Sequence, residues 1–275
     1  MELNKVKFSV ILPILERDDI LIGFPKAIES IFENTIKPDQ VLVIIDGLVS
    51  NSFRDLILNF QKKYLLDLIW TEKKIGLHNA LNLGLSKCRN EIVFRADGDD
   101  INLKDRFELQ IPYLLKGYNV VGSNIDEYDE DGNYISSKNV PINNNEIRKM
   151  ITYRNPINHM TVGYLKNSVL DVGGYPQLFL KEDYGLWIKL LAKNKKFRNL
   201  EKSLVKATTG RRMIKDRSGI RYVYSEFLLQ KFLLKYKLSK FFIAIAVFIS
   251  RSIIFIIPSL LRFYFYKIFL REKKD

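Results

Sequence analysis

The chain has 275 residues, 47% of them hydrophobic, which is enough for one large core and an appendage. Its formal charge of +13 at pH 7 would suit a nucleic-acid binder, but the charge is unevenly distributed. Residues 1–210 contain 29 Lys and Arg against 27 Asp and Glu, whereas residues 211–275 contain 15 against 4. The excess lies in a tail whose basic residues alternate with apolar segments, and we therefore expect no nucleic-acid partner.

Cysteine usage and the N-terminus both indicate a reducing, cytosolic compartment. Cys88 is the only cysteine, so an intrachain disulfide is excluded. The first residues, MELNKVKFSVILP, enter a strand-like run without the long apolar segment and cleavage site of a secretory signal.

Apolar strands alternate with amphipathic helices along the first half of the chain. The patterns predict strands at residues 8–15, 40–45, 66–70 and 91–94, and helices at residues 24–34, 53–64 and 77–87. Strands that are apolar on both faces indicate a parallel sheet covered by helices on both sides. Ligands bind such sheets beyond the carboxyl ends of the strands.

Three acids crowd the carboxyl end of the fourth predicted strand, in the sequence FRADGDD. Asp97, Asp99 and Asp100 would repel one another unless they were solvated or neutralised by a cation. One interpretation is a divalent metal site. The other is an acidic turn that caps a helix predicted to start at Leu103. Pro13 and Asp46 end two other strands at the same edge, so all these residues are predicted to meet in one crevice.

The second half carries further candidate residues. A strand at residues 119–128 and a turn at Asp131-Gly132 predict a hairpin, which explains the acidic run 126–131 better than a second metal site does. His159 lies in the segment NPINHMTVGY, and a lone histidine of this kind is either structural or part of a site. Glu182 and Asp183 begin a helix predicted at residues 181–191, where the helix dipole alone would favour acids.

Seven segments, taken together and in order, carry a resemblance to a known family: SVILP, VIIDG, IGLHNALNLGL, FRADGDD with INLKDRFELQ, NPINHMTVG, GGY and KEDYGLWIKLL. With these segments the chain resembles family 2 inverting glycosyltransferases of the GT-A fold, most of all bacterial enzymes that build capsule, exopolysaccharide or O-antigen repeat units. The resemblance implies an α/β, Rossmann-like, mostly parallel sheet flanked by helices in residues 1–210, with a donor half to about residue 118 and an acceptor half from about 119 to 210.

The same resemblance implies roles in binding a nucleoside diphosphate sugar, expected to be a UDP-sugar. Asp99 matches the acid that binds Mn²⁺ or Mg²⁺, and Asp97 contacts the ribose or shares the metal. Asp46 matches the acid that holds the uracil or ribose end of the donor. Pro13 is expected in the same donor site.

On the acceptor side, the resemblance makes Asp183 the catalytic base for direct displacement, with Glu182 positioning the acceptor or the base. His159 would serve the acceptor or its phosphate. Arg211 and Arg212 could contact an acceptor diphosphate, or they could be simple surface charge. The expected acceptor is a glycan or a lipid-linked glycan. A sugar nucleotidyltransferase and an inactive nucleotide-sugar-binding subunit remain as alternative functions.

The tail at residues 211–275 is predicted to be a basic, apolar helical appendage. Residues 241–250 and 252–261 are strongly apolar and are separated by Arg251. Lys240, Arg251 and Arg262 recur every eleven residues and would form one line on a helix, which suits a helix lying in an anionic membrane surface. A membrane span and a soluble cap or homodimer contact are the alternatives. We therefore expect a peripheral or monotopic protein on the cytoplasmic face of the membrane.

Overall fold

A computed structural model of the chain describes residues 3–209 and 218–257. The described strands form one sheet of nine strands. They are β1 (Phe8–Ile14), β2 (Gln40–Ile45), β3 (Asp67–Trp70), β4 (Ile92–Arg95), β5 (Ile101–Asn102), β6 (Val120–Tyr128), β7 (Tyr134–Lys138), β8 (Gly163–Leu165) and β9 (Phe197–Thr208).

Helices cover both faces of this sheet, and two more helices form the described part of the tail. The helices are α1 (Asp18–Phe32), α2 (Asn51–Tyr64), α3 (Leu77–Lys87), α4 (Arg106–Leu115), α5 (Asn144–Met150), α6 (Lys166–Leu170), α7 (Glu182–Ala192), α8 (Ile220–Lys235) and α9 (Phe241–Ile256).

The strand order is β3-β2-β1-β4-β8-β6-β9-β5, with β7 paired to the outer part of β6. Neighbours from β3 to β4 run parallel, β8 is antiparallel to both β4 and β6, and β9 runs parallel to β6. The predicted α/β class with a mostly parallel sheet is therefore confirmed. The short β8 joins the two halves of the chain in a single sheet.

The core lies on both faces of the sheet because successive side chains of a strand point in opposite directions. In β1, Val10 and Leu12 pack on one side with Phe24 of α1, whereas Ile11 packs on the other side with Leu81 of α3. All are buried. This central location therefore requires a strand with apolar side chains on both of its faces.

Two predicted helix starts are wrong. The helix predicted from residue 24 begins at Asp18, with Asp18 and Asp19 in its first turn, where the helix dipole favours acids. The helix predicted from Leu103 begins at Arg106, because the preceding residues, 101–102, form β5 and pair with β9. That pairing joins residues about a hundred positions apart, so local periodicity does not reveal it.

Arg106 is a fully buried cation at the start of α4. Its Nη2 donates to the carbonyl oxygen of Arg95 at 2.7 Å and to that of Val162 at 3.3 Å. Its other nitrogens donate to the side-chain oxygens of Asn102 and Gln110. Burial lowers the pKa of Arg106 to about 9. Arg106 thus ties the end of β4 to the segment that enters β8.

We expect Arg106→Met to lower the free energy of unfolding by about 2 kcal/mol, because the buried oxygen atoms of Arg95, Asn102 and Gln110 each lose a donor. Urea denaturation followed by circular dichroism measures the change. Arg89→Met is the matched control, since the Arg89 side chain is 60% exposed and should contribute less than about 1 kcal/mol. Equal stability of the two variants would contradict the role given to Arg106.

Candidate active site

The carboxyl ends of β1, β2 and β4 surround a cavity of about 330 Å³. The four residues predicted for donor binding, Pro13, Asp46, Asp97 and Asp99, all line it. Sequence patterns placed them at the carboxyl ends of three separate strands, and the parallel register brings those strand ends together. The cavity also contains three cationic side chains that the sequence did not single out: Arg17, Lys74 and Arg95.

Asp46 organises one wall of this cavity. Its carboxylate accepts hydrogen bonds from the backbone N–H of Ile75 at 2.6 Å and of Gly76 at 3.0 Å, and only 6% of the residue is exposed. Gly76 has φ of +84°, a conformation that glycine adopts without strain, and it is the N-cap of α3. Asp46 therefore fixes the loop that leads into α3 as well as facing the cavity.

The opposite wall is the acidic turn after β4. One oxygen atom from each of Asp97, Asp99 and Asp100 lies within 4.8 Å of the others. Arg95 makes a two-point ion pair with Asp97: its Nη1 donates to Oδ2 at 2.7 Å, and its Nη2 contacts Oδ1. Arg17 approaches Asp99 less closely, at 3.8 Å. The three carboxylates are thus only partly neutralised by cations.

The incomplete neutralisation affects the pKa values of Asp99 and Asp100. Burial, reinforced by the Asp97 charge, raises the pKa of Asp99 to about 6. Burial and the neighbouring carboxylates also raise the pKa of Asp100 well above its usual value. Asp99 and Asp100 therefore hold their protons more tightly than ordinary carboxyl groups do. Together with Asp97 they offer three oxygen donors suited to a hard divalent cation, which would take the place of those protons.

Asp100 does not cap the following helix, as the alternative interpretation of this turn required. The helix starts at Arg106, and Asp100 instead accepts a hydrogen bond from the N–H of Thr208 at 3.0 Å. The Thr208 hydroxyl donates to the carbonyl oxygen of Asp99 at 2.8 Å. The end of β9 therefore holds the acidic turn in place.

Helix α1 packs directly on the same turn. A Cβ atom built on Gly23 would lie 2.9 Å from the Cα of Asp99. Only a residue without a side chain permits this approach, which explains a glycine inside a helix at some cost in helix propensity.

The predicted base lies on a different element. Asp183 is in the first turn of α7, and its Oδ2 accepts a hydrogen bond from Asn155 Nδ2 at 2.7 Å. Burial and the Asp183 charge raise the pKa of the neighbouring Glu182. Asn155 comes from the segment NPINHMTVGY and was not itself singled out as a functional residue.

His159 is held between aromatic residues. Its Nε2 lies 3.0 Å from the Tyr175 hydroxyl, and its ring meets that of Trp187 edge-on at 5.8 Å. Burial, helped by the Arg95 charge, lowers the pKa of His159 well below its ordinary value. A neutral imidazole in this setting favours the structural interpretation over a phosphate-binding one.

The remaining sequence predictions have mixed outcomes. The acidic run 126–131 belongs to a hairpin as expected: residues 126–128 end β6, and in the turn that follows Asp129 accepts from the backbone N–H of Asp131 and Asn133. Within the part of the chain that the structure describes, the group at residues 97–100 is the one acidic cluster compact enough for a metal. Arg211, Arg212 and Arg262 lie outside the described residues.

The predicted line of tail cations is wrong at Arg251. Its Nε lies 3.4 Å from the buried carboxylate of Glu226, so this guanidinium faces the protein interior. The eleven-residue spacing could not reveal this partner, which lies on the preceding helix. Nowhere in residues 3–209 or 218–257 is there a helix with both the length and the apolar character that crossing a membrane demands.

We expect Asp99→Asn to stabilise the metal-free protein by about 1–3 kcal/mol at pH 7.5. Because the folded-state pKa of Asp99 is raised from 3.8 to about 6, its ionisation opposes folding above pH 6. The gain should disappear below pH 4, where the carboxyl is protonated in both states.

Chemical denaturation in excess chelator at several pH values measures this stability difference. Asp55→Asn, at an exposed position on α2, provides the control and should show no such pH dependence. An unchanged or lower stability of Asp99→Asn at pH 7.5 would contradict the electrostatic interpretation of the cluster.

Comparisons with known proteins agree with this geometry. Residues 9–182 match the family described as glycosyl transferase family 2. The chain is 34% identical, over 97% of both chains, to a UDP-Gal:alpha-D-GlcNAc-diphosphoundecaprenol beta-1,3-galactosyltransferase of Escherichia coli. It is 32% identical to the amylovoran biosynthesis glycosyltransferase AmsE of Erwinia amylovora, over 91% of this chain and 94% of that one.

Solved structures show the same fold. S. aureus TarS superposes with a TM-score of 0.67 at 17% identity, and the match covers 97% of this chain but 46% of TarS. TarS 1-349 in complex with UDP-GlcNAc superposes with a TM-score of 0.65 at 18% identity, covering 91% of this chain and 74% of that one. The chain belongs to glycosyl transferase family 2, and the protein is a glycosyltransferase.

Proposed function

We propose that the protein transfers a sugar, with inversion, from a UDP-sugar to a glycan or lipid-linked acceptor in the synthesis of a bacterial surface polysaccharide. One observation carries the proposal: Pro13, Asp46, Asp97 and Asp99 come from three strands and line a single cavity. Two of the similar proteins support the proposal. The Escherichia coli relative is named for a UDP-Gal donor and a GlcNAc-diphosphoundecaprenol acceptor, and TarS 1-349 was solved in complex with UDP-GlcNAc.

In this proposal the donor lies across the cavity. The nucleoside end is held near Pro13 and the Asp46 loop, and the diphosphate faces the acidic turn. Asp99 and Asp97 would hold a Mn²⁺ or Mg²⁺ ion, which would supply positive charge against the negative charge that grows on the departing diphosphate. Arg17, 3.8 Å from Asp99, adds positive charge on the diphosphate side, and Lys74 adds positive charge to the same cavity beside the Asp46 loop.

Asp183 acts as the general base for the acceptor hydroxyl. Its carboxylate takes the proton while the acceptor oxygen attacks C1 of the sugar from the face opposite the diphosphate. The C1–oxygen bond to the diphosphate breaks in the same displacement, so the anomeric configuration inverts and no covalent enzyme intermediate forms. Asn155 holds one oxygen of Asp183, and Glu182 helps to place the acceptor.

The described part of the tail attaches the enzyme to an anionic membrane surface in this proposal. On α9, Phe242, Ile245, Ile249, Ile253 and Ile256 are all exposed and recur every three or four residues, so they form one apolar face. Residues 218–257 carry six cations against a single acid. An exposed apolar face with surrounding cations suits a helix lying in the lipid headgroup region.

We expect Asp183→Asn to bind UDP in the presence of Mn²⁺ within about twofold of wild type while transfer falls by roughly 10²- to 10⁴-fold, because only proton removal is lost. Calorimetry measures binding, and released UDP measures transfer. Asp171→Asn, an exposed acid on another helix end, is the control.

Normal transfer by Asp183→Asn would require a different base, and full activity in excess chelator would exclude the metal. Release of pyrophosphate instead of UDP would identify a nucleotidyltransferase. Tight UDP binding by the wild-type protein without turnover on any lipid-linked acceptor would identify an inactive donor-binding subunit.

We expect the protein to sediment with vesicles that contain phosphatidylglycerol and far less with pure phosphatidylcholine vesicles. Phe242→Asp should weaken this binding about tenfold, because a phenyl group that is 83% exposed loses its burial in lipid. Leu65→Asp replaces a side chain that is 86% exposed at the end of α2 and should bind as wild type does. Equal binding of both variants would argue against α9 as the contact surface.

A further inference from the structure

A buried cluster of charges ties the start of α7 to the tail helices. Lys181 is the N-cap of α7 and directly precedes Glu182 and Asp183. The Nζ of Lys181 lies 3.8 Å from Oε2 of Glu226 on α8, and Nε of Arg251 on α9 lies 3.4 Å from the same oxygen.

Glu226 has no exposed surface, so its charge is compensated by these cations rather than by bulk water. Gln230 donates to its other oxygen, Oε1, at 2.8 Å. The Lys181 ammonium also lies over the rings of Tyr222 and Phe255, at 5.4 and 5.5 Å from their centres. The side chain of Lys181 is therefore held by a charge and by two aromatic faces of the tail.

A second connection runs from the same carboxylate to the partner of Asp183. Besides its contact with Glu226, Arg251 donates to the carbonyl oxygen of Tyr153 at 3.4 Å. Tyr153 lies two residues before Asn155, whose amide donates to Asp183 at 2.7 Å. Glu226 is thus connected to Asp183 by two routes. One runs through Lys181 at the start of α7, and the other runs through Arg251 and the segment that carries Asn155, the hydrogen-bond donor of Asp183.

The packing next to Asp183 reinforces this arrangement. Tyr184, which follows Asp183 on α7, donates from its buried hydroxyl to the carbonyl oxygen of Ile151 at 2.6 Å. The helix start and the segment 151–155 are consequently fixed to each other as well as to the tail. A purely structural contact between these helices would be served at least as well by apolar side chains, since buried charges gain little net stability over a hydrophobic replacement.

We propose that Glu226 is a positioning residue for transfer: it orients Asp183 through Lys181 and, by way of Arg251, through Asn155. The tail helices then form part of the acceptor side of the enzyme. This inference rests on the proposed role of Asp183 as the base. The donor cavity contains no described residue of α8 or α9, so donor binding is independent of the cluster.

The experiment compares Glu226→Gln with wild type in the full-length protein. Glutamine keeps the shape of the side chain and removes the charge that holds the two cations. We expect a folded variant, judged by circular dichroism, whose kcat falls at least tenfold while its affinity for UDP with Mn²⁺ stays within twofold. Glu201→Gln removes an exposed carboxylate on β9 and should leave kcat unchanged.

Substitutions of Lys181 separate positioning from mere folding. Lys181→Arg keeps the cation and should retain most of the activity, whereas Lys181→Met should lose as much kcat as Glu226→Gln does. The double variant Glu226→Gln with Lys181→Met should be little worse than either single variant, because the two groups act as one unit.

A kcat within twofold of wild type in folded Glu226→Gln overturns the proposal, as do additive losses or a parallel fall in UDP affinity. If Glu226→Gln fails to fold, Lys181→Met provides the test, and a wild-type kcat in that variant overturns the proposal. If neither variant folds, the cluster has a folding role and the proposal is overturned.

The Asp183→Asn variant separates this proposal from the assignment of the base. Loss of transfer in Asp183→Asn with full transfer in Glu226→Gln rejects the positioning role alone. Full transfer in Asp183→Asn rejects the base and this inference together.

Discussion

The repulsion among three carboxylates at the end of β4 is the constraint on which the active-site half of the structure depends. Oxygen atoms of Asp97, Asp99 and Asp100 lie within 4.8 Å of one another, and burial together with the neighbouring carboxylates raises the pKa of Asp99 and of Asp100. Arg95 compensates part of this charge by pairing with Asp97, and the end of β9 binds Asp100. A cluster of carboxylates of this kind is a local weakness of the fold, and contacts from several elements hold it in place.

The same strand end joins the two sides of the proposed reaction. Arg95 pairs with Asp97 on the donor side, and its charge also contributes to the lowered pKa of His159 on the other side. The backbone produces this closeness, because β8 pairs with β4 and the N–H of Arg95 donates to the carbonyl oxygen of Val162. A short antiparallel strand inserted between β4 and β6 therefore brings the segment that carries Asn155 and His159 beside the acidic turn.

The tail helices present opposite chemistry on their two sides. The outer face of α9 is apolar and exposed, which suits contact with lipid in the proposed membrane association. The inner side holds Glu226 and Arg251 in contact with the start of α7. A tail that both attaches the enzyme to a surface and supports the base would place the transfer site at a fixed relation to a lipid-linked acceptor.

The sequence by itself determined the parallel half of the sheet and the positions of Asp46, Asp97, Asp99 and Asp183 at element ends, because apolar periodicity and strand-end acids are local signals. It could not determine what those carboxylates contact. The ion pair of Asp97, the Thr208 contact of Asp100 and the burial of Arg251 against Glu226 each need partners from other elements. Only the tertiary structure decided them, since a charge's partner is set by distance in space rather than by spacing along the chain.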